Sequence, residues 1–331
     1  MVFIIDHTPH INMDALYTNS YQTVVITEDG KVVCWGDNRY NQCDVPANLE
    51  NVISINCKYF HSAALTAEGQ VVCWGLNSTC QCDVPPEATN IIAISCGFNH
   101  TAALTADGKV ICWGSNYHGQ CDVPLDLTQV IQIRCSRWDT MALTADGRVV
   151  CWGISEKKQS DFPADLINVA SIWRGRYHIA ALTFDGRVIC WGHSQRYQCN
   201  PADLTNVISV CCGEYHTIAL TAEGKVICWG DNTYHQCDVP PDLENVVSIH
   251  SHNYHNAALT AEGRVVCWGN NDAGQCNPPV DLENVIAVGV GLYHSSAITA
   301  DGRVVCWGRN IENQCDVPDN LVARTGMVVL L

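Results

Sequence analysis

Cys34-Trp35-Gly36 decides the reading of this chain, because the sequence writes that tripeptide eight times. It returns at Cys73-Trp74-Gly75, Cys112-Trp113-Gly114, Cys151-Trp152-Gly153, Cys190-Trp191-Gly192, Cys228-Trp229-Gly230, Cys267-Trp268-Gly269 and Cys306-Trp307-Gly308. The tryptophans stand 38 or 39 residues apart throughout. A fixed period of that length is the mark of a solenoid, a propeller or another array. The 331 residues are therefore counted as one repeat domain over 1–331, with eight units of about 39 residues and closing segments at 1–12 and 319–331.

The unit that begins at Asn90 shows the grammar around the tripeptide. The β-branched run Ile91-Ile92-Ala93-Ile94-Ser95-Cys96 reads as a strand, and His100-Thr101-Ala102-Ala103-Leu104-Thr105 as a second. Ala106-Asp107-Gly108 is a tight turn in which Gly108 supplies positive φ, and Lys109-Val110-Ile111-Cys112-Trp113 returns as the third strand of a hairpin. Gln120-Cys121-Asp122-Val123-Pro124 is expected to start a short fourth strand, held to an edge by its proline. Residues 13–17 stand where later units carry their first strand, and Met1–Ile5 is an extra apolar strand.

Runs such as Val32-Val33-Cys34-Trp35 carry no polar break, which suits a sheet covered on both faces. Small antiparallel sheets arranged radially give every blade two neighbours. The fold class is therefore all-β: a β-propeller of four-stranded antiparallel blades, with a β-solenoid as the runner-up. An open ring would leave two sheet edges unpaired, so the terminal strands are expected to close it, including Met327–Leu331. The acidic residue before glycine recurs in every hairpin, from Asp29-Gly30 to Asp301-Gly302, so eight of the 34 acidic residues are turn chemistry rather than catalytic carboxylates.

Charged residues make up 16% and apolar residues 47%, a chain with much to bury. The net charge is −16, with 18 basic residues. That balance opposes phosphate neutralisation, so neither nucleic acid nor an anionic membrane is expected as a partner. The N-terminus lacks a basic n-region and a cleavage site, and no run of about 18 apolar residues occurs. The expectation is a soluble monomer of the cytoplasm or nucleus.

The 21 cysteines are repeat letters. Eight precede Trp-Gly, and seven follow glutamine at Cys43, Cys82, Cys121, Cys199, Cys237, Cys276 and Cys315, where the fourth copy has Ser160. Cys34 and Cys43 could pair within a unit, a spacing that recurs in seven units, yet with no export signal reduced thiols are expected. No zinc-type spacing occurs, so no metal and no cofactor are expected.

The run Val-Ile-Ser-Ile, Tyr-His, Ala-Leu-Thr-Ala-Glu-Gly-Lys-Val-Ile-Cys-Trp-Gly-Asp-Asn, Gln-Cys resembles the repeat of the regulator of chromosome condensation family, over about residues 12–326. The resemblance implies a β-propeller, typically of seven blades. Eight hairpins at one period argue for eight here, with seven as the alternative if one hairpin is displaced. The best-known member of the family is a guanine nucleotide exchange factor for a small GTPase and docks on nucleosomes; other relatives are scaffolds and enzyme inhibitors. The exchange factor uses a wedge-like insertion, and spacings of 38 or 39 leave no room for one.

Histidine opens the second strand at His61, His100, His178, His216, His255 and His294, with Gln22 and Asp139 in the other two units. Its periodicity points to structural hydrogen bonding, with a loop backbone as the expected partner. The glutamines at Gln42, Gln81, Gln120, Gln159, Gln198, Gln236, Gln275 and Gln314 read the same way. No catalytic residue stands outside the grammar, and the expectation is that the protein is not an enzyme.

The grammar breaks in the fourth and fifth units. Trp138-Asp139 replaces the aromatic-His pair, Trp173 replaces a cysteine, and Arg134, Arg137, Lys157, Lys158, Arg174 and Arg176 gather six of the 18 basic residues. Tryptophan, tyrosine and arginine are the usual interface anchors. Together with Tyr177 these residues form the candidate partner-binding patch, facing an acidic ligand or protein; drift in a solvated sector with cation–π pairs is the plainer reading. The expected function is a non-enzymatic interaction scaffold. The alternatives are a regulator of an enzyme, whether an exchange factor or an inhibitor, and a glycan binder using the loop aromatics Tyr59, Phe98, Tyr177, Tyr215, Tyr254 and Tyr293.

Overall fold

The computed structural model describes residues 15–154, 161–163, 166–201 and 204–326. Within them the β-branched runs and the Thr-x-x-Gly hairpins form eight three-stranded antiparallel sheets, at 16–36, 52–75, 91–114, 130–153, 169–192, 207–230, 246–269 and 285–308. In the third sheet the strands are Ile91–Cys96, His100–Thr105 and Val110–Gly114. The strand at residues 16–18 opens the first sheet, as its place in the grammar required. Met1–Ile5 and Met327–Leu331, with the ring-closing role expected of them, lie outside the described residues.

Each hairpin turn is built as the sequence implies. Gly108 takes φ +78°, its N–H donates to the Thr105 carbonyl, and the Thr105 hydroxyl donates to the Asp107 carboxylate at 2.5 Å. The turn carboxylates are thus spent on threonine and on the basic residue that follows, as in Lys109–Asp107 at 2.7 Å.

In sheets two to eight the first strand carries a bulge, seen in the register step from Ile91↔Thr105 to Ala93↔Leu104. The extra residue tightens the local twist. It also lets Ile91, Ile94 and Cys96 share one face, so the run reads as apolar without alternating. The middle strands are buried on both faces: Ala63 and Leu65 pack toward the third sheet, Ala64 toward the first.

The core lies between sheets. Eight apolar clusters occur, and each draws on two neighbouring sheets. One of them joins Leu16, Val25 and Trp35 of the first sheet to Ile298 and Val304 of the eighth. Eight sheets sharing eight interfaces is the arrangement of an eight-bladed β-propeller, with no hairpin displaced. Thr27 and Ala323 form an isolated bridge at the same joint.

The fourth strand is the correction. In the third unit, residues 115–129 turn instead of extending. Cys121 N–H donates to the Asn116 side chain at 2.8 Å, Asn116 Nδ2 donates to Asp122 at 2.7 Å, and Leu127 N–H returns to the Pro124 carbonyl. Backbone groups satisfied inside a loop are unavailable to a ladder. Each blade therefore has three strands among the described residues.

The repeated tryptophan bridges blades. Trp113 belongs to the third sheet, is 7% exposed, and packs in the cluster shared with the second. Its indole N–H donates to the Gln81 carbonyl at 3.0 Å. Trp113→Ala should cost about 3–5 kcal/mol by removing a buried ring, whereas Trp113→Phe should cost about 1–2 kcal/mol by removing the indole N–H bond and trimming the ring. Urea unfolding of the two variants checks the order; equal costs would contradict the bridging role.

Candidate functional site

The first strands of neighbouring sheets touch one another and face the axis. Lys58 of the second sheet reaches across to the Cys135 carbonyl of the fourth at 2.8 Å. Exposed edges of these strands are capped by the preceding blade: Cys96 N–H donates to Asn56 Oδ1, Cys135 N–H to Ser95 Oγ, and Ile172 N–H to Gln132 Oε1. Capped edges cannot recruit another strand. A cavity of about 20 Å³ remains among Ser54, Asn56, Gln132 and Arg134, about the space of one water.

Adjacent blades are joined by one repeated hydrogen-bond relay. His100 Nε2 lies 3.0 Å from Thr140 Oγ1 of the next blade, and Thr140 donates to the Gln120 carbonyl at 2.9 Å. Because the hydroxyl gives its proton to the carbonyl, it must accept from histidine, which assigns the neutral Nε2–H tautomer. The same link runs from His61 to Thr101, His178 to Thr217, His255 to Ser295, and His294 to Thr23 across the joint between the eighth and first sheets. Asn256 takes the hydroxyl's part opposite His216. The histidine partner is thus a side chain of the next blade, not the loop backbone that the sequence suggested. Gly97 is needed beside it, since a Cβ there would stand 2.1 Å from His100 Cε1. The seven described glutamines do bind loop backbone, as where His118 N–H donates to Gln120 Oε1 at 2.9 Å, and Gln159 lies outside the described residues.

The joint between the fourth and fifth blades breaks this relay. Asp139 replaces histidine and Ile179 replaces the hydroxyl residue, so neither half of the usual link exists. Arg174 supplies a substitute, donating to Asp139 at 2.6 Å with side chains 6% and 2% exposed. Ser136 donates to the same carboxylate. Burial, and then Arg174, hold the Lys58 ammonium below its ordinary pKa. The sequence signal that could have exposed this link was Ile179, a lone apolar letter in a column of threonine, serine and asparagine.

The structure therefore divides the candidate patch. Arg134, Trp173 and Arg174 lie on first strands and are drawn into the fold: Arg134 donates to the Ile133 carbonyl, and Trp173 packs against the cluster between sheets five and six. The register puts Arg174, not Trp173, at the cysteine position, since Arg174 faces Ile179 as Cys96 faces Thr101. Arg137, Trp138, Arg176 and Tyr177 lie on the loops between first and second strands, at the mouth of the axis. Lys157 and Lys158 lie outside the described residues.

All eight of these loops bring an aromatic ring: Tyr21, Phe60, Phe98, Trp138, Tyr177, Tyr215, Tyr254 and Tyr293. Tyr59 and Phe98 are 4.9 Å apart, as are Tyr177 and Tyr215, which stack. Three arginines interleave. Arg137 lies 4.9 Å over Phe98 and 4.5 Å over Trp138. Arg176 covers Tyr177 at 5.1 Å and pairs with Glu214 at 3.0 Å. Arg309 lies 5.4 Å from the Tyr293 ring, a contact that sequence reasoning missed. Burial and Glu214 push the Tyr254 phenol up to about 12. Among the described residues, no three His, Cys, Asp or Glu side chains converge as metal ligands.

Blades of this repeat, joined in this order, define a β-propeller of the regulator-of-chromosome-condensation type. The RCC1-like domain model matches residues 47–325, and the regulator of chromosome condensation (RCC1) repeat matches residues 18–42. The chain belongs to the RCC1-like domain family. Among solved structures it is similar to Prp20p from Saccharomyces cerevisiae, at 20% identity, over 79% of this chain and 86% of that one, with a TM-score of 0.57. It is also similar to the ectodomain of the receptor kinase CR4 from Physcomitrella patens, at 22% identity, over 77% and 73% of the two chains, TM-score 0.60. Human WBSCR16 matches at 19% identity over 88% and 83%, TM-score 0.54. No curated protein matches the sequence.

Two tests follow from the joints. Burial holds His61 and His216 at about 4, and His100, His178, His255 and His294 at about 3, against an ordinary value of 6.5. Below pH 6.5 the unfolded chain gains protons that the fold refuses, so stability falls as pH drops from 6.5 toward 4. Urea midpoints measured at pH 7.5 and pH 5 should differ accordingly; equal midpoints would contradict the neutral relay. Arg174→Ala leaves Asp139 buried without its cation and should cost about 3–5 kcal/mol. Adding Asp139→His with Ile179→Thr should recover part of that loss in the same assay.

Proposed function

We propose that this propeller is a non-enzymatic protein-interaction scaffold, and that its partner docks an acidic segment on the loop face at the fourth and fifth blades. The observation that carries the reading is Arg137. Its exposed guanidinium lies over two rings, Phe98 and Trp138, and makes no ion pair with any described residue. In a chain of net charge −16, an arginine held by rings and left open to solvent is an anchor for an anion. Trp138, Arg176 and Tyr177 extend the same surface, with Phe98 and Tyr59 beside them.

The fold supports an interaction role by analogy, since the study of Prp20p concerns its binding to Gsp1p and histones. The mouth chemistry is read from this chain alone. A small GTPase as partner is the competing class, and a nucleotide-release assay separates it from a passive scaffold.

The test is affinity capture with the wild type beside an Arg137→Ala, Trp138→Ala double variant, neither residue being part of the histidine–hydroxyl–carbonyl relay. A partner retained by the wild type and reduced at least tenfold in the variant supports the reading, and its retention should fall as salt rises. Equal retention by both would move the docking surface elsewhere.

A further inference from the structure

Seven units place a cysteine of the third strand nine residues before the cysteine that follows glutamine. In all seven the second thiol takes one pose, pointing at a backbone carbonyl six residues earlier, from Cys43 on Asp37 at 3.4 Å to Cys315 on Arg309 at 3.3 Å. The first thiol differs between units. Cys34 and Cys228 turn toward the loop, bringing Cys34 Sγ to 2.9 Å from Cys43 Sγ and Cys228 Sγ to 3.1 Å from Cys237 Sγ. Cys306 turns instead toward Thr23 of the first blade.

A disulfide needs its sulfurs at about 2.05 Å, so roughly one ångström of side-chain rotation separates these two pairs from a bond. The loop between the two cysteines is short and already fixed at both ends. No third metal-ligating side chain joins either pair among the described residues, so the arrangement suits sulfur–sulfur chemistry rather than a metal. We propose that Cys34–Cys43 and Cys228–Cys237 are dithiol–disulfide sites that close when the protein meets a low-molecular-weight disulfide.

The exchange balances with one reagent disulfide per site. The Cys43 thiolate attacks one reagent sulfur, the reagent S–S bond breaks, and the first thiol leaves with a proton. Cys34, on losing its proton, attacks Cys43 Sγ and expels the second reagent thiol. Two protein thiols are oxidised, and one reagent disulfide is reduced to two thiols. The hydrogen bond from Cys34 lowers the Cys43 thiol pKa, which suits Cys43 to the attacking role, while burial raises that of Cys34. In the five units outside these two sites the second thiols are raised by burial, to about 12 at Cys82, Cys121, Cys276 and Cys315 and to about 11 at Cys199, so they should react later.

The bond would fasten to the third strand the very loop whose glutamine carbonyl joins the blades, Gln42 in one case and Gln236 in the other. The fourth unit, with Ser160 at the second position, has no such pair. Oxidation would therefore stiffen the first and sixth blades and leave the sector around Arg137 unstapled.

The experiment exposes the reduced full chain to glutathione disulfide, quenches with N-ethylmaleimide at intervals, and maps peptides by mass. The expected early product has lost four alkylatable thiols, is about 4 Da lighter before alkylation, and carries the cross-links 34–43 and 228–237. Its melting temperature should rise by several degrees. A Cys43→Ser, Cys237→Ser variant should show none of this early loss. Persistent glutathione adducts on these cysteines, full alkylation of all four after exposure, or earlier cross-links elsewhere would each overturn the proposal.

Discussion

Among the described residues, one backbone carbonyl ties neighbouring blades together at seven of the eight joints. The Gln81 carbonyl accepts the indole N–H of Trp113 and the hydroxyl of Thr101, and that hydroxyl accepts His61 from the blade before. Two side chains of one blade thus converge on a carbonyl of the blade before, and a histidine of that earlier blade binds one of the two. Buried polar groups of this kind are costly if unpaired and directional when paired. Apolar packing supplies most of the attraction between blades, but packing alone tolerates sliding. The relay fixes each blade's height and rotation against the next, and the loop that presents the carbonyl is itself held by the glutamine side chain.

That constraint explains the fixed period. A loop of different length would move the carbonyl away from the next tryptophan. It also explains why the departures at the fourth and fifth units arrive together. Once Ile179 removes the acceptor, a histidine at position 139 would be buried with its Nε2–H unsatisfied. A carboxylate there is tolerable only with a cation, and Arg174 provides it at 2.6 Å. Three positions that look like independent anomalies are one exchange: a neutral relay for an ion pair. A buried ion pair is weak as a source of net stability but expensive to break, so this joint is the one most exposed to single substitutions.

Much of the fold was legible because the grammar is local. Strand runs, the Asp-Gly turns and the eightfold count all follow from residues within one unit. The absent fourth strand was not legible, because Gln-Cys-Asp-Val-Pro has strand-like apolar letters, and only the Asn116 side chain, four residues before Gln120, converts it to a turn. The histidine partner was missed for the opposite reason. It lies 40 residues away in another blade, and nothing in one unit names it. The candidate patch was half visible: composition found the arginines and tryptophans, but strand alternation and the inter-blade exchange decided which of them point inward.

The division between linking and free positions also accounts for why function is harder to read than fold. Trp, Gln, His and the following hydroxyl are bound to their neighbours, and Asp139, Ile179 and Arg174 depart from the pattern together, whereas Gln22 stands for histidine opposite an unchanged Ser62. The loop residues just before the histidine position take no part in that relay and meet their neighbours through ring contacts. Phe60, Trp138 and Tyr177 differ in size and polarity at equivalent places without disturbing a joint. A ring held by its interior can present almost any chemistry at its mouth, and this chain presents aromatic rings threaded with Arg137, Arg176 and Arg309. The repeat dictates where a partner can meet the propeller, and the residues that escape the repeat dictate which partner chemistry it meets.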